Sequence, residues 1–439
     1  MASVALPFDG LAAGWQALFS VAFVVIVAML AWTTLLFLRG LAWRRRAPAP
    51  DPALASEWLW AFLVPALNEE AVIADSVSRL RAVEAARRLI VVIDDGSDDG
   101  TAAALAPLAG NDIVVLRREA PHARQGKAAA LNAAYRRLGV LLAERGIPRE
   151  QVIVAVVDAD GRLAPDAPAR VAPHFADPRA GGVQSLVRIY NRGRLLTWMQ
   201  DIEFSIYGFL YQAGRSGWGS AGMGGNGQFN RLVALDDIAD TVGPWHDRLT
   251  EDQDLGLRLI EAGWAGRQDL GATVDQQGLP GMRRLYRQRT RWAQGNLQAM
   301  SHLPVCWRSR LTPVARLDLL AYLLMPVWQT VVGVALVAAV ALVATGTTGF
   351  WLGGPWWQMG FFYLLGFGGV IMGCVARGDG LRGTPGALAG ILVAQAYAFY
   401  SWILWPVLAR AGTRQAIKRR GWEKTQREAL GPASPPARI

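Results

Sequence analysis

Cysteine is almost missing from this chain: two residues in 439, Cys306 and Cys374. Two thiols, one of them inside an apolar run, make no disulfide framework, which excludes the small cross-linked secreted scaffolds. Histidine is nearly as scarce, and His122, His174, His246 and His302 show no metal-ligand spacing, so a histidine-built zinc centre is excluded. The Gly-rich Walker loop is absent, and with it ATP hydrolysis by that device. There is no nucleophilic serine motif and no internal repeat. Acids are in deficit: 35 Asp and Glu stand against 45 Lys and Arg, a formal charge of +10. A nucleic-acid partner would require those bases to alternate with aromatics on a soluble face. They crowd instead beside apolar segments, at Arg44, Arg45 and Arg46 after the first and from Arg410 to Arg427 after the last. That is the pattern of cytoplasmic membrane flanks facing anionic lipid.

What is abundant is apolar residue, 52% of the chain. Residues 15–38 are nearly uncharged and long enough to cross a hydrocarbon core of about 30 Å. The run is too long for a secretory signal and no basic segment precedes it. Residues 47–52 form a Pro/Ala linker. From 57 to 302 strands and helices alternate: strands at 60–65, 89–93, 113–116 and 152–157, helices at 71–88 and 127–142. Such alternation predicts an α/β domain with a mainly parallel, doubly wound sheet, whose ligands sit outside the carboxyl ends of the strands. Leu195, Trp198, Met199, Ile202, Ile206, Phe209 and Leu210 recur at helical steps, on a helix that either packs on the core or lies in the membrane interface. Three further candidate spans, 317–344, 356–375 and 387–409, make a membrane region over 317–409, and Trp351, Trp356, Trp357, Trp402 and Trp405 fit aromatic belts. A basic tail follows over 410–439. The topology contains a conflict. With the α/β domain cytoplasmic, three later crossings put the tail outside, whereas its charge argues for inside. One segment is therefore expected not to cross, and 317–344 is the choice because Pro326 can bend it.

The acids cluster at strand ends. Asp94 and Asp95 end the second strand before a Gly-Ser turn, where carboxylates accept hydrogen bonds from a base or ribose, or simply brace the turn. Asp158-Ala159-Asp160 ends the fourth strand, and two carboxylates on alternate positions can address one diphosphate-bound Mg2+ or Mn2+. Thr250-Glu251-Asp252 opens a helix. Its acids suit a helix N-terminus, and one of them can act as general base toward an attacking hydroxyl. Gln288, Arg291 and Trp292 share a helical face. Arg291 can pair with phosphate oxygens and Trp292 offers a flat surface to a sugar ring, or the segment is a basic interfacial helix with a Trp anchor. Gly224-Gly225-Asn226-Gly227-Gln228 permits close backbone approach to a ligand, and Gly126-Lys127 offers a phosphate contact.

In this order, Asn68-Glu69, Asp94-Asp95-Gly96-Ser97, Asp158-Ala159-Asp160, Thr250-Glu251-Asp252 and Gln-x-x-Arg-Trp at 288–292 resemble the membrane-embedded glycosyltransferases of family 2, the group of cellulose, hyaluronan and chitin synthases. The Gly-Asn-Gly-Gln-Phe stretch also resembles bacterial enzymes that glucosylate diacylglycerol. The resemblance implies a GT-A fold over 57–302 and inverting transfer of a hexose from a nucleoside-diphosphate sugar, usually UDP-linked, to a growing glycan. The alternative acceptor is a lipid. It implies that Asn68, Glu69, Asp94, Asp95, Lys127, Asp158, Gln288 and Arg291 bind donor, that Asp160 ligates Mg2+ or Mn2+, and that Asp252 is the base. Gly225, Asn226, Gln228 and Trp292 would face the acceptor. The expected setting is the cell membrane, among membrane lipids and without nucleic acid, with the catalytic domain cytoplasmic.

Overall fold

Alternating apolar side chains on the first strand explain why a two-sided sheet forms. In β1 (Leu59–Ala66), Trp60, Phe62 and Val64 enter one buried cluster, while Leu59, Ala61 and Leu63 enter the other. Successive side chains point to opposite faces, so a strand apolar at every position must be covered on both. The computed structural model describes residues 10–347, 356–377 and 386–417. Trp351, the side chains of Trp356 and Trp357, and the basic tail beyond 417 lie outside the described residues.

The strands β2 (Arg88–Asp94), β3 (Ile113–Arg117), β4 (Val152–Val156), β5 (Arg162–Leu163), β6 (Ala180–Ile189), β7 (Gln228–Arg231) and β8 (Ala265–Gln276) complete an eight-stranded sheet of order β3-β2-β1-β4-β7-β6-β8-β5. The β3-β2-β1-β4 half is parallel, as expected. Beyond it β7 runs antiparallel to both β4 and β6, and β6 and β8 are again parallel, so the sheet is mixed. This is an α/β sheet of the GT-A, Rossmann-like type.

The helices that position the site are α1 (Ala13–Arg45), α2 (Lys127–Glu144), α3 (Leu195–Ile206), α4 (Glu251–Ala262), α5 (Met282–Ala299), α6 (Pro313–Leu323), α7 (Met325–Ala344), α8 (Trp356–Arg377), α9 (Gly386–Ile403) and α10 (Pro406–Ala416). Four helical stretches, Ala13–Arg45, Met325–Ala344, Gly360–Arg377 and Leu388–Ala416, are long and apolar enough to cross a membrane. The protein is thus a membrane protein. The 317–344 segment is two helices rather than one bent helix: α6 ends at Leu323, and Pro326 sits in the first turn of α7, where its missing N–H costs nothing.

The catalytic-side ends of the apolar helices are tied to the α/β domain. Trp43 Nε1 of α1 donates to Gln268 O (2.9 Å), and Arg377 of α8 pairs with Asp201 of α3 (2.7 Å). Met199, Ile202 and Ile206 of α3 are buried against Cys374 of α8 and Ala394 and Tyr400 of α9. The amphipathic helix read in the sequence therefore packs between the sheet domain and the membrane-length helices, with Leu195 at its start exposed. Finally, α10 returns to α5: Val407 and Ala411 pack on Ala293, and Arg414 Nε donates to Gln294 Oε1 (3.2 Å).

Candidate active site

A cavity of about 480 Å3 opens at the carboxyl edge of the parallel strands. Asp95 reaches it from the end of β2, Asp158 and Asp160 from the end of β4, and Gly225 and Asn226 from the loop before β7. Lys127 enters from the first turn of α2, Asp252 from the first turn of α4, and Gln288, Arg291 and Trp292 from α5. Residues from Asp95 to Trp292, nearly 200 positions apart, thus face one volume.

Charge organises its floor. Lys127 Nζ lies 2.6 Å from Asp158 Oδ1 and 3.5 Å from Glu251 Oε1, and donates to Gly225 O at 3.1 Å. Burial alone would lower the ammonium's pKa, but Asp158 and then Glu251 outweigh it and hold Lys127 above its ordinary range. Asp252 responds the other way. Burial, then the neighbouring Glu251 carboxylate, raise its pKa to about 6, against the pull of Lys127 and Arg291. A carboxylate so tuned is a competent proton acceptor near neutrality. A side chain at position 225 would put its Cβ 3.1 Å from Asp252 Oδ2 and 3.1 Å from Lys127 Nζ. Glycine is what lets the loop backbone pass between them.

Asp160 Oδ2 accepts from Gln277 N (2.9 Å), which fixes its carboxylate at the cavity wall. Asn226 ties the loop to the strand end: its Oδ1 accepts from Asp158 N (3.1 Å) and its Nδ2 donates to Gln276 Oε1 (3.0 Å). Burial raises the pKa of Asp95, which is ion-paired with Arg118.

The Gln-x-x-Arg-Trp helix closes over the start of α4. Gly295 marks the contact, since a Cβ there would meet Thr250 Oγ1 at 2.4 Å. Arg291 Nη1 donates to Leu249 O (3.0 Å), one residue before the Thr-Glu-Asp turn. Trp292 is clamped: the Arg289 guanidinium lies 4.1 Å from its ring centroid and Phe204 meets it edge-on at 6.0 Å. Arg289 is held by Glu203 Oε2 (2.6 Å), which also accepts from Tyr400 OH of α9 (2.8 Å).

Three residues expected at the ligand do not line the cavity. Asn68 bonds Asp98 (2.6 Å), and Asp94 binds Ser97 N (2.9 Å) and Arg117 (2.7 Å), so both brace the turns beside it. Gln228 is buried on β7, where its Oε1 accepts from Asn230 Nδ2 (3.1 Å). Thr250 does not cap α4 with its side chain; its hydroxyl donates to Gln253 Oε1 (3.1 Å). Glu69, Asp95, Lys127, Asp158, Asp160, Gly225, Asn226, Asp252, Gln288, Arg291 and Trp292 all line it. Sequence reasoning missed Glu203, Phe204, Tyr207, Gln276 and Tyr322, which complete the wall. The only available signal was the polar Glu203 within the apolar spacing of α3.

Residues 153–371 match the family model described as glycosyl transferase family group 2, and residues 61–238 match glycosyl transferase family 2. The chain is 33% identical over 276 residues to a β-monoglucosyldiacylglycerol synthase of Synechocystis sp., covering 60% of this chain and 53% of the relative. It is 28% identical over 245 residues to a poly-β-1,6-N-acetyl-D-glucosamine synthase of Staphylococcus aureus, covering 54% and 55%. The chain thus spans about half the length of the curated relatives it matches. In fold it resembles the mannosyltransferase PcManGT of Pyrobaculum calidifontis, solved with GDP-Man and Mn2+, with a TM-score of 0.59 at 20% identity over 92% of this chain and 98% of that one. With the two family models spanning the sheet and the cavity-lining segments between them, the chain belongs to glycosyl transferase family 2.

Proposed function

We propose that the protein is a membrane-bound inverting glycosyltransferase that moves a hexose from a UDP-linked donor to the hydroxyl of a lipid such as diacylglycerol. The observation that carries this is Asp252: a carboxyl with its pKa raised to about 6, on the wall of a cavity that it shares with Asp158, Asp160 and Arg291. Asp252 takes the proton from the acceptor hydroxyl as its oxygen attacks C1. The bond from C1 to the diphosphate breaks on the opposite face, and the nucleoside diphosphate leaves. Gln288 and Arg291 flank the diphosphate, Lys127 holds Asp158 in place beside it, and Asp95 and Glu69 face the nucleoside. Trp292 and the Gly225-Asn226 loop shape the acceptor side.

Asp158 and Asp160 fit a divalent ion: both are hard oxygen donors on the wall of the same cavity. Among the described residues no three His, Cys, Asp or Glu side chains could hold an ion alone, so Mg2+ or Mn2+ here would take its remaining ligands from substrate phosphates and water. When bound, such an ion neutralises charge on the leaving diphosphate.

Two features support a lipid acceptor. Phe204, Tyr207 and Tyr322 give the cavity an aromatic wall, and α3, which carries Phe204, packs on the membrane-length helices. The Synechocystis relative is by name a glucosyldiacylglycerol synthase. Extension of a growing glycan is the second reading, supported by the Staphylococcus aureus relative's name. The setting we propose is the plasma membrane with the catalytic domain cytoplasmic, since Arg44 to Arg46 flank α1 on the catalytic side. Incubation of the full chain in nanodiscs with diacylglycerol and a panel of UDP-hexoses, followed by mass analysis, tests the proposal. A lipid heavier by one hexose is expected. Long polymer would favour the second reading, and no sugar transfer with any donor would overturn both.

A further inference from the structure

One chain of contacts joins the first apolar helix to the general base. Arg215 and Asp318 form a bidentate pair, Nε to Oδ2 at 2.6 Å and Nη2 to Oδ1 at 3.3 Å, with both side chains almost wholly buried. Trp32 Nε1 of α1 donates to the same carboxylate at 2.8 Å. The Arg215 guanidinium lies 4.6 Å from the ring centroid of Tyr322, one turn beyond Asp318 on α6. The Tyr322 hydroxyl accepts from Gln253 Nε2 at 2.9 Å, and Gln253 is the neighbour of Asp252. Tyr322 itself lines the cavity.

A buried ion pair contributes little net stability, because desolvating two charges offsets most of their attraction. Well-packed apolar residues would hold α6 to its neighbours equally well. What the pair adds is direction: a guanidinium plane fixed by two hydrogen bonds, held over one aromatic ring, that of Tyr322. The depth of the cluster is also informative. Arg39 of α1 docks on Gly214 O of the catalytic domain (3.2 Å), and Trp32 lies seven residues further into the apolar stretch, about 10 Å along the helix axis. The ring of Tyr322 is therefore set from a level where α1 is still lipid-like in composition.

We infer that Tyr322 is a positioning residue for the acceptor: held by the Trp32–Asp318–Arg215 chain, it forms the membrane-side wall that aligns an incoming lipid alcohol with Asp252. This rests on the glycosyltransferase reading above. A residue acting in that way governs how the acceptor is held and leaves donor recognition to the opposite side of the cavity.

The test uses the full chain in nanodiscs, with UDP-hexose and dioleoylglycerol varied independently. Tyr322→Phe removes one hydroxyl and is expected to raise the dioleoylglycerol KM about tenfold, while the donor KM stays within about twofold. Asp318→Asn leaves a buried guanidinium half-paired and endangers folding, so Trp32→Phe, which removes the N–H donated to the same carboxylate and trims the ring beside Trp218, carries the second arm. It is expected to raise the acceptor KM about threefold, again sparing the donor KM. An unchanged acceptor KM in Tyr322→Phe, or acceptor and donor KM rising together, overturns the positioning role. An unchanged acceptor KM in Trp32→Phe alone overturns the link to α1. Wild-type protein that transfers no sugar to dioleoylglycerol overturns the functional reading and this inference with it, whereas active wild type with indistinguishable variants overturns this inference only.

Discussion

The Asp252 carboxyl is surrounded by opposing charges. Burial, and then Glu251 beside it, disfavour ionisation, while Lys127 and Arg291 favour it, and the net effect is a raised pKa. A general base works only when deprotonated. With the pKa raised to about 6, the active fraction is nearly complete above pH 7 and falls tenfold per unit as pH drops well below 6. The pH profile of kcat/KM is therefore expected to show an acid limb near 6. Asp252→Asn should lose about 10²- to 10⁴-fold in kcat with nucleotide affinity nearly intact, as read by calorimetry with UDP. Wild-type turnover in that variant would remove Asp252 as the base. At this scale the acids were legible in the sequence because several carboxylates recur at the carboxyl ends of strands, where ligands of such sheets sit, and Asp95, Asp158 and Asp160 reach the cavity as expected. Asp94 and Asn68 were not separable from them. Both sit in the same motifs, and whether such a side chain faces a ligand or braces its own turn depends on one backbone rotation. The clamp of Arg289, Glu203 and Tyr400 on Trp292 was invisible, because its members are up to 197 positions apart.

Between elements, the decisive contact is that of α5 with the first turn of α4. It brings the Gln-x-x-Arg-Trp residues over Asp252, and it depends on Gly295 having no side chain. Gly295→Ala would place a methyl within 2.4–2.9 Å of three Thr250 atoms, so no rotamer of Thr250 relieves it and the helix must move. An overpacking cost of about 1–3 kcal/mol is expected, visible as a lower thermal midpoint. The loss of kcat/KM should be larger than that cost implies, because Arg291 and Trp292 shift with the helix. A variant with wild-type kinetics would show that the approach of α5 is not needed. The elements themselves were legible in proportion to their apolar runs. β1, β2, β3 and β4 stand where expected since both faces of that half are buried. β6 and β8 were missed for an opposite reason. They carry Gly181, Gly182, Gln184, Gln268 and Gln276, and their buried amides are satisfied by neighbours such as Ser216 Oγ, which donates nothing to hydropathy but accepts from Gln268 N at 2.8 Å.

For the whole molecule, the contacts of α8, α9 and α10 bear on the conflict between crossing number and tail charge. The end of α8 is on the catalytic side, where Arg377 meets Asp201 and Ala376 O accepts from Arg44 Nη1 (3.3 Å). α9 starts there, with Gly390 packed on Cys374 and Val375. Near its other end Tyr400 reaches Glu203, while Trp402 lies against Phe367, ten residues before the end of α8. On these contacts α9 is expected to lie obliquely along the interface instead of spanning. The segment then expected not to cross is α9, whereas the sequence argument chose 317–344, whose second half is the 20-residue α7. Crossings by α1, α7 and α8 alone would put the start of the tail on the catalytic side, as its charge requires. Cys306 and Cys374 are buried, so a single introduced thiol reports alone. Thr413→Cys on the exposed side of α10 and Ala109→Cys on the sheet domain should both react with an impermeant maleimide in inverted vesicles and both be shielded in intact cells. Labelling of the two positions from opposite sides would mean that α9 spans the bilayer and that the packing of α10 on α5 does not survive in lipid.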